Sequence, residues 1–281
     1  MSYRRTALIT GASGGMGRAC ARLFGASHDL LLTDVAGPAL DRFAEELSKD
    51  GYSISAARSG SIGDAGLVEA LVDDLSGSDP FVLVHTAAVS PSQADWRTIL
   101  EVDLIASVRL LNAVEPVLRP GSVGVLIASL AGHMAAVDPQ AAALCADPVA
   151  PGFIDSMERV VLRAAGDSPA GAPGPAYSYA KQGLIALAER RAVAWGARGA
   201  RLVSISPGVI ATPMGHQEME AHPDALRLAT AVPAGRTGTA AEIAQAARFL
   251  ASDEASFITG CDLKVDGGAV AFVRHAAAAA A

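Results

Sequence analysis

Short apolar runs alternate with segments of helical period through the first half of this 281-residue chain. The runs lie at residues 6–10, 30–34, 52–57, 81–86 and 123–129, and the helical patterns at 15–25, 39–49, 65–75 and 96–118. Most runs (TALIT, LLLTD, FVLVHT, VGVLIAS) are continuously apolar. Strands read this way when both faces of their sheet are covered, and a helix between successive strands makes each connection a crossover. Crossovers are right-handed, which leaves few topologies. A helix at 177–197, a strand at 201–206, a helix at 240–251 and a strand at 261–265 continue the pattern. The spacing predicts an α/β fold, a doubly wound parallel sheet of seven strands with helices on both faces.

Two segments break the rhythm. Residues 130–176 are rich in Ala, Pro and Gly, but Phe153, Met157, Val160, Val161 and Ala164 suit one amphipathic helix over 153–165. Residues 207–235 have no clear period. Loops this long inside a compact domain are usually lids or binding loops. We therefore expect one domain over 1–275, with 130–176 inserted near the site, 207–235 as a substrate loop and 276–281 as an alanine tail. Apolar residues make up 51% and charged residues 18%, which excludes wholesale disorder. A net charge of −7 argues against a nucleic-acid partner. Cys20, Cys145 and Cys261 form no CxxC pair, so neither a disulfide framework nor a structural zinc is expected, and a reducing compartment fits. The apolar run after Arg4-Arg5 is too short for a signal peptide. Nothing approaches the ~18 apolar residues of a membrane span. The expectation is a cytoplasmic protein with no membrane partner and no metal.

Thr10-Gly-Ala-Ser-Gly-Gly-Met-Gly17 follows the first strand and opens a helix. An ordinary glycine-rich turn can look like this, but the order strand, loop, helix favours a pyrophosphate site at a helix N-terminus. Asp34 ends the second strand, nineteen residues after Gly15, where a carboxylate can accept bonds from a ribose and repel a 2′-phosphate. Gly14, where a cation could greet that phosphate, is uncharged. Both features point to NAD. Arginines outnumber lysines nineteen to three, so each lysine matters, and Tyr177 and Lys181 stand at i, i+4 on one helix face. An ammonium near a phenol lowers its pKa from about 10 and suits it to proton exchange near neutral pH. Ser129 ends the fifth strand, where a hydroxyl can bond a reacting oxygen, although serines there are usually turn formers.

The ordered set of TGxxxGxG at Thr10–Gly17, Ser129, YxxxK at Tyr177–Lys181, Pro207-Gly-Val-Ile-Ala-Thr-Pro213 and Gly260-Cys-Asp-Leu-Lys-Val-Asp-Gly-Gly268 resembles the short-chain dehydrogenase/reductase family. The resemblance covers residues 5 to about 272 and implies a Rossmann-type fold. It implies that Tyr177 is the acid/base, that Ser129 orients the substrate oxygen, and that Lys181 holds the nicotinamide ribose while tuning Tyr177. It further implies a cofactor set of Gly11, Ser13, Gly14, Gly15, Met16, Gly17, Asp34, Ser61, Ile62, Thr86, Ala87 and Ala88. Pro207, Gly208, Val209, Ile210 and Thr212 belong at the nicotinamide end. Relatives usually carry Asn-Asn-Ala-Gly where this chain has His85-Thr86-Ala87-Ala88, and an asparagine of the proton relay where it has Asp103. Ser61 stands where an aspartate often lies beside adenine.

The gap of 48 residues from Ser129 to Tyr177 exceeds that of most relatives and resembles the 3α-hydroxysteroid dehydrogenase/carbonyl reductase branch. The expected activity is hydride transfer between NAD(H) and a secondary alcohol or ketone, with a hydroxysteroid or other cyclic carbonyl as one substrate class. A 3-oxoacyl-thioester reductase and a catalytically silent nucleotide sensor are the alternatives. The expected assembly is a homo-oligomer, a dimer more than a tetramer, because the insertion could obstruct the helix pairing relatives use. His85, His133, His216 and His222 share no metal-ligand spacing. Glu218-Met219-Glu220 reads as a solvated loop face.

Overall fold

The computed structural model describes residues 5–77, 79–134 and 136–280. Seven strands form one parallel sheet of order β3-β2-β1-β4-β5-β6-β7. They are β1 Arg5–Thr10, β2 His28–Asp34, β3 Ile54–Ser59, β4 Val82–His85, β5 Val123–Ile127, β6 Arg201–Pro207 and β7 Asp262–Val265. The order reverses between β1 and β4, which opens a crevice beyond their carboxyl ends.

The period of two hidden inside the apolar runs reappears as two cores. Ala7, Ile9, Leu30, Leu32, Val82 and Val84 cluster with Phe24, Phe43, Leu47 and Leu250, from helices Gly15–Gly25, Gly37–Lys49 and Ala240–Ala251. Leu8, Leu31, Leu83 and Leu126 cluster instead with helices Ala65–Leu75, Ser107–Val114 and Pro173–Gly196, the last contributing the fully buried Trp195. Edge strand β3 alternates half-buried and exposed positions and ends two residues later than the run predicts. Its last residues, Arg58 and Ser59, are polar, which an edge strand accommodates; Arg58 pairs with Asp74.

The helix expected at 96–118 is interrupted. Trp96–Leu100 is α-helical, Glu101–Ala106 is a π turn, Ser107–Val114 is α-helical again, and Glu115–Val117 is a 3-10 turn. Pro116, which lacks an N–H, helps end the regular helix. Residues 130–176 carry helices Ala131–Met134, Pro139–Leu144 and Phe153–Ala164. Phe153, Met157, Val160 and Val161 are buried against Trp96, Ile99, Leu100, Leu104 and Tyr179. Burial of such side chains stabilises by about 1.5–3 kcal/mol each, so the apolar stripe is satisfied within the chain. The Tyr177 helix begins at Pro173, four residues before the predicted start, because prolines are tolerated in a first turn that needs no donors.

Residues 207–235 hold two helices, Pro213–Ala221 and Pro223–Ala231. Both are largely exposed, so neither writes an apolar period into the sequence. Most of the predicted alanine tail continues helix Ala269–Ala280, as alanine's high helix propensity favours. Positions 1–4 and 281 lie outside the described residues. Among the described residues, no helix is long and apolar enough to cross a membrane, and no group of three or more His, Cys, Asp or Glu is placed to hold a metal ion.

Candidate active site

The glycine loop leaves β1 at the sheet's switch point. Gly11 has φ +63°, and a Cβ there would lie 2.8 Å from the Ala87 nitrogen, so the position accepts only glycine without strain. Gly14 caps helix Gly15–Gly25 with no side chain, leaving the first helical N–H groups facing outward, and its own N–H bonds Gly11 O at 3.0 Å. Met16 lines the neighbouring cleft and Gly17 is buried under the loop. A Cβ on Gly15 would lie 2.6 Å from Thr212 Cγ2, so the segment after β6 closes directly onto the loop.

Asp34 sits at the end of β2, beside the loop. Its Oδ2 accepts the Ser13 N–H at 2.9 Å and Oδ1 accepts the Ala36 N–H at 3.0 Å. Each oxygen keeps a lone pair for a further donor. Arg18, the first cation after the loop, is turned away: it bonds Glu46 at 2.7 Å and lies 4.1 Å over the Phe43 ring. Ser61 accepts the Gly63 N–H at 3.1 Å, and Ile62 is buried. Ser61 also borders a cavity of about 600 Å³ shared with Arg109 and the inserted segment around Pro148–Phe153.

Beyond β4, His85, Thr86 and Ala87 stitch the switch point together. Thr86 Oγ1 donates to Thr10 O at 2.7 Å, and the Ala87 N–H donates to Thr10 Oγ1 at 3.2 Å. Thr10 Oγ1 lies 2.8 Å from His85 Nδ1, and His85 Nε2 lies 2.8 Å from Ser107 Oγ, which donates to Asp103 O at 2.9 Å. The fixed direction of the last bond requires Nε2 to carry the hydrogen, and Nδ1 of the neutral ring accepts from Thr10. Burial, aided by the Lys181 charge, pushes the ring's pKa down to about 3. Histidine and threonine here supply bonds in place of the asparagines; Ala88 follows, half-buried.

Ser129 stands two residues past β5, with its Oγ accepting the Ala131 N–H at 3.1 Å. Ser129 lines the same cleft as Tyr177, and its hydroxyl favours the ionised form of the phenol. Lys181 Nζ lies 5.3 Å from the centre of the Tyr177 ring and 3.0 Å from Asp103 Oδ2. Both Lys181 and Asp103 are buried, at 2% and 0% side-chain exposure. Asp103 Oδ1 accepts the Val89 N–H at 2.9 Å, whereas Oδ2 meets no donor in hydrogen-bond geometry despite the nearby ammonium. Burial opposes the Lys181 charge, but Asp103 and Tyr177 outweigh it and hold the ammonium above its usual range.

The expected lowering of the Tyr177 pKa is not found. Burial raises it; Lys181 pulls it down, but Asp103 pushes it back up, and the net shift is upward. The i, i+4 spacing shows the ammonium, but not the carboxylate that offsets it.

Ser129 and Tyr177 open onto a cleft of about 520 Å³. Pro207, Gly208, Val209, Ile210 and Thr212 form its wall after β6, and the insertion contributes Ala170, Gly171, Pro173 and Gly174. Glu218 also faces the cleft, which corrects its reading as a solvated loop residue. Its Oε1 accepts the Ser92 N–H at 2.9 Å across 126 positions of sequence, a contact no local pattern announces. His133 is bound instead to Asp262 at 2.8 Å.

The model of the family described as enoyl-(acyl carrier protein) reductase matches residues 11–145 and 134–270. A short-chain dehydrogenase/reductase of Alternaria brassicicola, bsc3, is 30% identical over 282 residues, covering 95% of this chain and 96% of its own. The chain belongs to the short-chain dehydrogenase/reductase family. Galactitol 2-dehydrogenase (L-tagatose-forming) of Cereibacter sphaeroides is 31% identical, with 93% of each chain covered. Among solved structures, a family oxidoreductase from Burkholderia thailandensis superposes with a TM-score of 0.74 at 28% identity, covering 99% of this chain and 98% of its own.

Proposed function

We propose that this oxidoreductase moves a hydride between NAD(H) and a secondary alcohol or ketone. The observation that carries the reading is the convergence of Ser129, Tyr177 and Lys181 beside a glycine loop on which the Thr212 segment closes. The loop fits a dinucleotide: its uncapped N–H groups suit a pyrophosphate, and Asp34, with spare lone pairs, suits the adenosine ribose. Ser61, Ile62 and the residues 86–88 would border the adenosine half, and residues 207–210 with Thr212 the nicotinamide half. Asp34 and the diversion of Arg18 to Glu46 support NAD over its 2′-phosphate.

Bound there, the nicotinamide supplies or takes the hydride. Tyr177 exchanges the proton with the substrate oxygen, and Ser129 orients that oxygen through its hydroxyl. Lys181 holds the ribose and keeps positive charge beneath the phenol. Its raised pKa keeps Tyr177 protonated at neutral pH, the form that carbonyl reduction needs. The cleft has room for a ring ketone or hydroxysteroid-like alcohol, and relatives named D-threitol dehydrogenase and galactitol 2-dehydrogenase carry secondary alcohols in their names. A 3-oxoacyl-thioester on a phosphorylated carrier fits less well, since among the described residues no lysine or arginine lines the cleft. A silent nucleotide sensor would have no use for the assembled Ser129–Tyr177–Lys181 set.

Tyr177→Phe tests the proposal. Turnover of ketones with NADH, followed by absorbance, is expected to fall by about a hundredfold or more. NADH affinity should persist. Substantial turnover by the variant refutes the assignment.

A further inference from the structure

The substrate cleft carries one charge that the reaction does not use. Glu218 lies on helix Pro213–Ala221, whose N-cap is Thr212, the residue resting on Gly15. The helix is latched to the turn after β4: Glu218 Oε1 accepts the Ser92 N–H at 2.9 Å, and Gln93 Nε2 donates to Gln217 Oε1 at 3.0 Å. Side-chain bonds from Ser92 and Ser90 add to this, and His222 Nε2 lies 3.8 Å from Glu218 Oε2. Burial disfavours the charge, yet these donors outweigh it and hold the carboxyl below its usual range. Its field reaches the phenol, where it favours the protonated form. Besides Tyr177, the ionisable residues lining the cleft among the described residues are Glu218 and His222, with no lysine or arginine to offset the carboxylate.

We propose that Glu218 is a specificity-determining residue, whose fixed carboxylate reserves the cleft for uncharged alcohols and ketones and excludes substrates bearing a carboxylate or phosphate near the reacting carbonyl. This rests on the oxidoreductase reading above. A second negative charge in the same cleft is repelled, and among the described residues no lysine or arginine lines the cleft to offset it, whereas a neutral ring or chain meets Met16, Leu130, Val209 and Met214. Nothing in the chemistry of hydride transfer requires a carboxylate here, so its effect is on selection.

The test uses a matched pair of ligands, a cyclohexanone carrying a carboxylate at C4 and the same ketone as its neutral carboxamide. Turnover with NADH gives the kcat/KM ratio of neutral to anionic ketone, and calorimetric titration of the same ligands gives an affinity ratio independent of turnover. The intact protein is expected to favour the amide by about tenfold or more. Glu218→Gln keeps an acceptor for Ser92 but removes the charge, and most of that preference should vanish. Glu220→Gln makes the same change of net charge at an exposed neighbour outside the cleft and should retain the preference. Equal use of both ketones by the intact protein overturns the proposal, as does an unchanged ratio in Glu218→Gln. Absence of NADH turnover with an intact affinity ratio would refute the oxidoreductase reading while upholding the role of Glu218.

Discussion

Replacing Asp103 with asparagine removes a carboxyl whose pKa burial raises against the pull of Lys181, while preserving shape and an acceptor for the Val89 N–H. The expected result is a shift in the titration of Tyr177. At 5.3 Å from the ring centre, an ammonium attracts a unit negative charge by roughly 3 kcal/mol if the effective dielectric constant is near 20, and so pulls the phenol toward its ionised form. Asp103, 3.0 Å from that ammonium, now opposes the effect. Without it, the phenol should titrate lower. Lys181 also loses the partner that helped raise its pKa, so Tyr177 alone then opposes the effect of burial on the ammonium. Alcohol oxidation needs the phenolate, so the low-pH limb of kcat should move to lower pH, read by steady-state absorbance across a pH series with saturating cofactor and alcohol. Denaturant unfolding of the variant separates loss of fold from change of profile. A limb that stays in place, or moves to higher pH, refutes the electrostatic argument.

Further outcomes follow from the same geometry. NADH should bind more tightly than NADPH in fluorescence titrations at fixed salt, and Asp34→Ala should narrow the difference; equal or tighter NADPH binding by the intact protein refutes the cofactor assignment. His85 stays neutral in the fold down to about pH 3, whereas a histidine in the unfolded chain takes its proton near 6.5. Its contribution to stability is therefore whole above 6.5 and falls as the pH drops, by about 3 kcal/mol at pH 4.5. Urea unfolding of His85→Asn should lose less stability between pH 7 and 4.5 than the intact protein, and an equal loss refutes the neutral-ring account. Because helix Phe153–Ala164 packs on Trp96–Leu100 and on the Tyr177 helix, we expect a homodimer built on other surfaces, around residues 240–268. A tetramer by light scattering refutes that.

The sheet was legible because its strands are short, apolar and separated by helices that repeat the same crossover. Strand β3 and the helices at 213–231 were harder, since edge and exposed elements carry polar residues and no burial period. Within the candidate site, Gly11, Asp34 and the Tyr177–Lys181 pair announce themselves by spacing along one or two elements. The Asp103–Lys181 ion pair, the Thr10–His85–Ser107 chain and the contact of Glu218 with Ser92 join residues far apart in sequence. No periodicity encodes them. The direction of the Tyr177 shift was misjudged for that reason: burial, its largest cause, and the Asp103 carboxylate are set by tertiary packing, and only the Lys181 charge is local.

The π turn at Glu101–Ala106 sets a limit on how the length of this chain can vary. A π turn amounts to one residue beyond the regular helical repeat, and each residue turns a helix by about 100°. Deleting a single position there would rotate Asp103 away from Lys181 or Ser107 away from His85, depending on which side of the cut is held in place. Either rotation would break a buried contact. Residues 136–150, by comparison, include mostly exposed positions, where extra or missing residues can be taken up at the surface. The chain therefore tolerates a gain or loss of many residues in one segment and of none in another. An alignment that slides a gap by one position across 101–106 would misassign the buried carboxylate, even if every flanking residue were matched correctly.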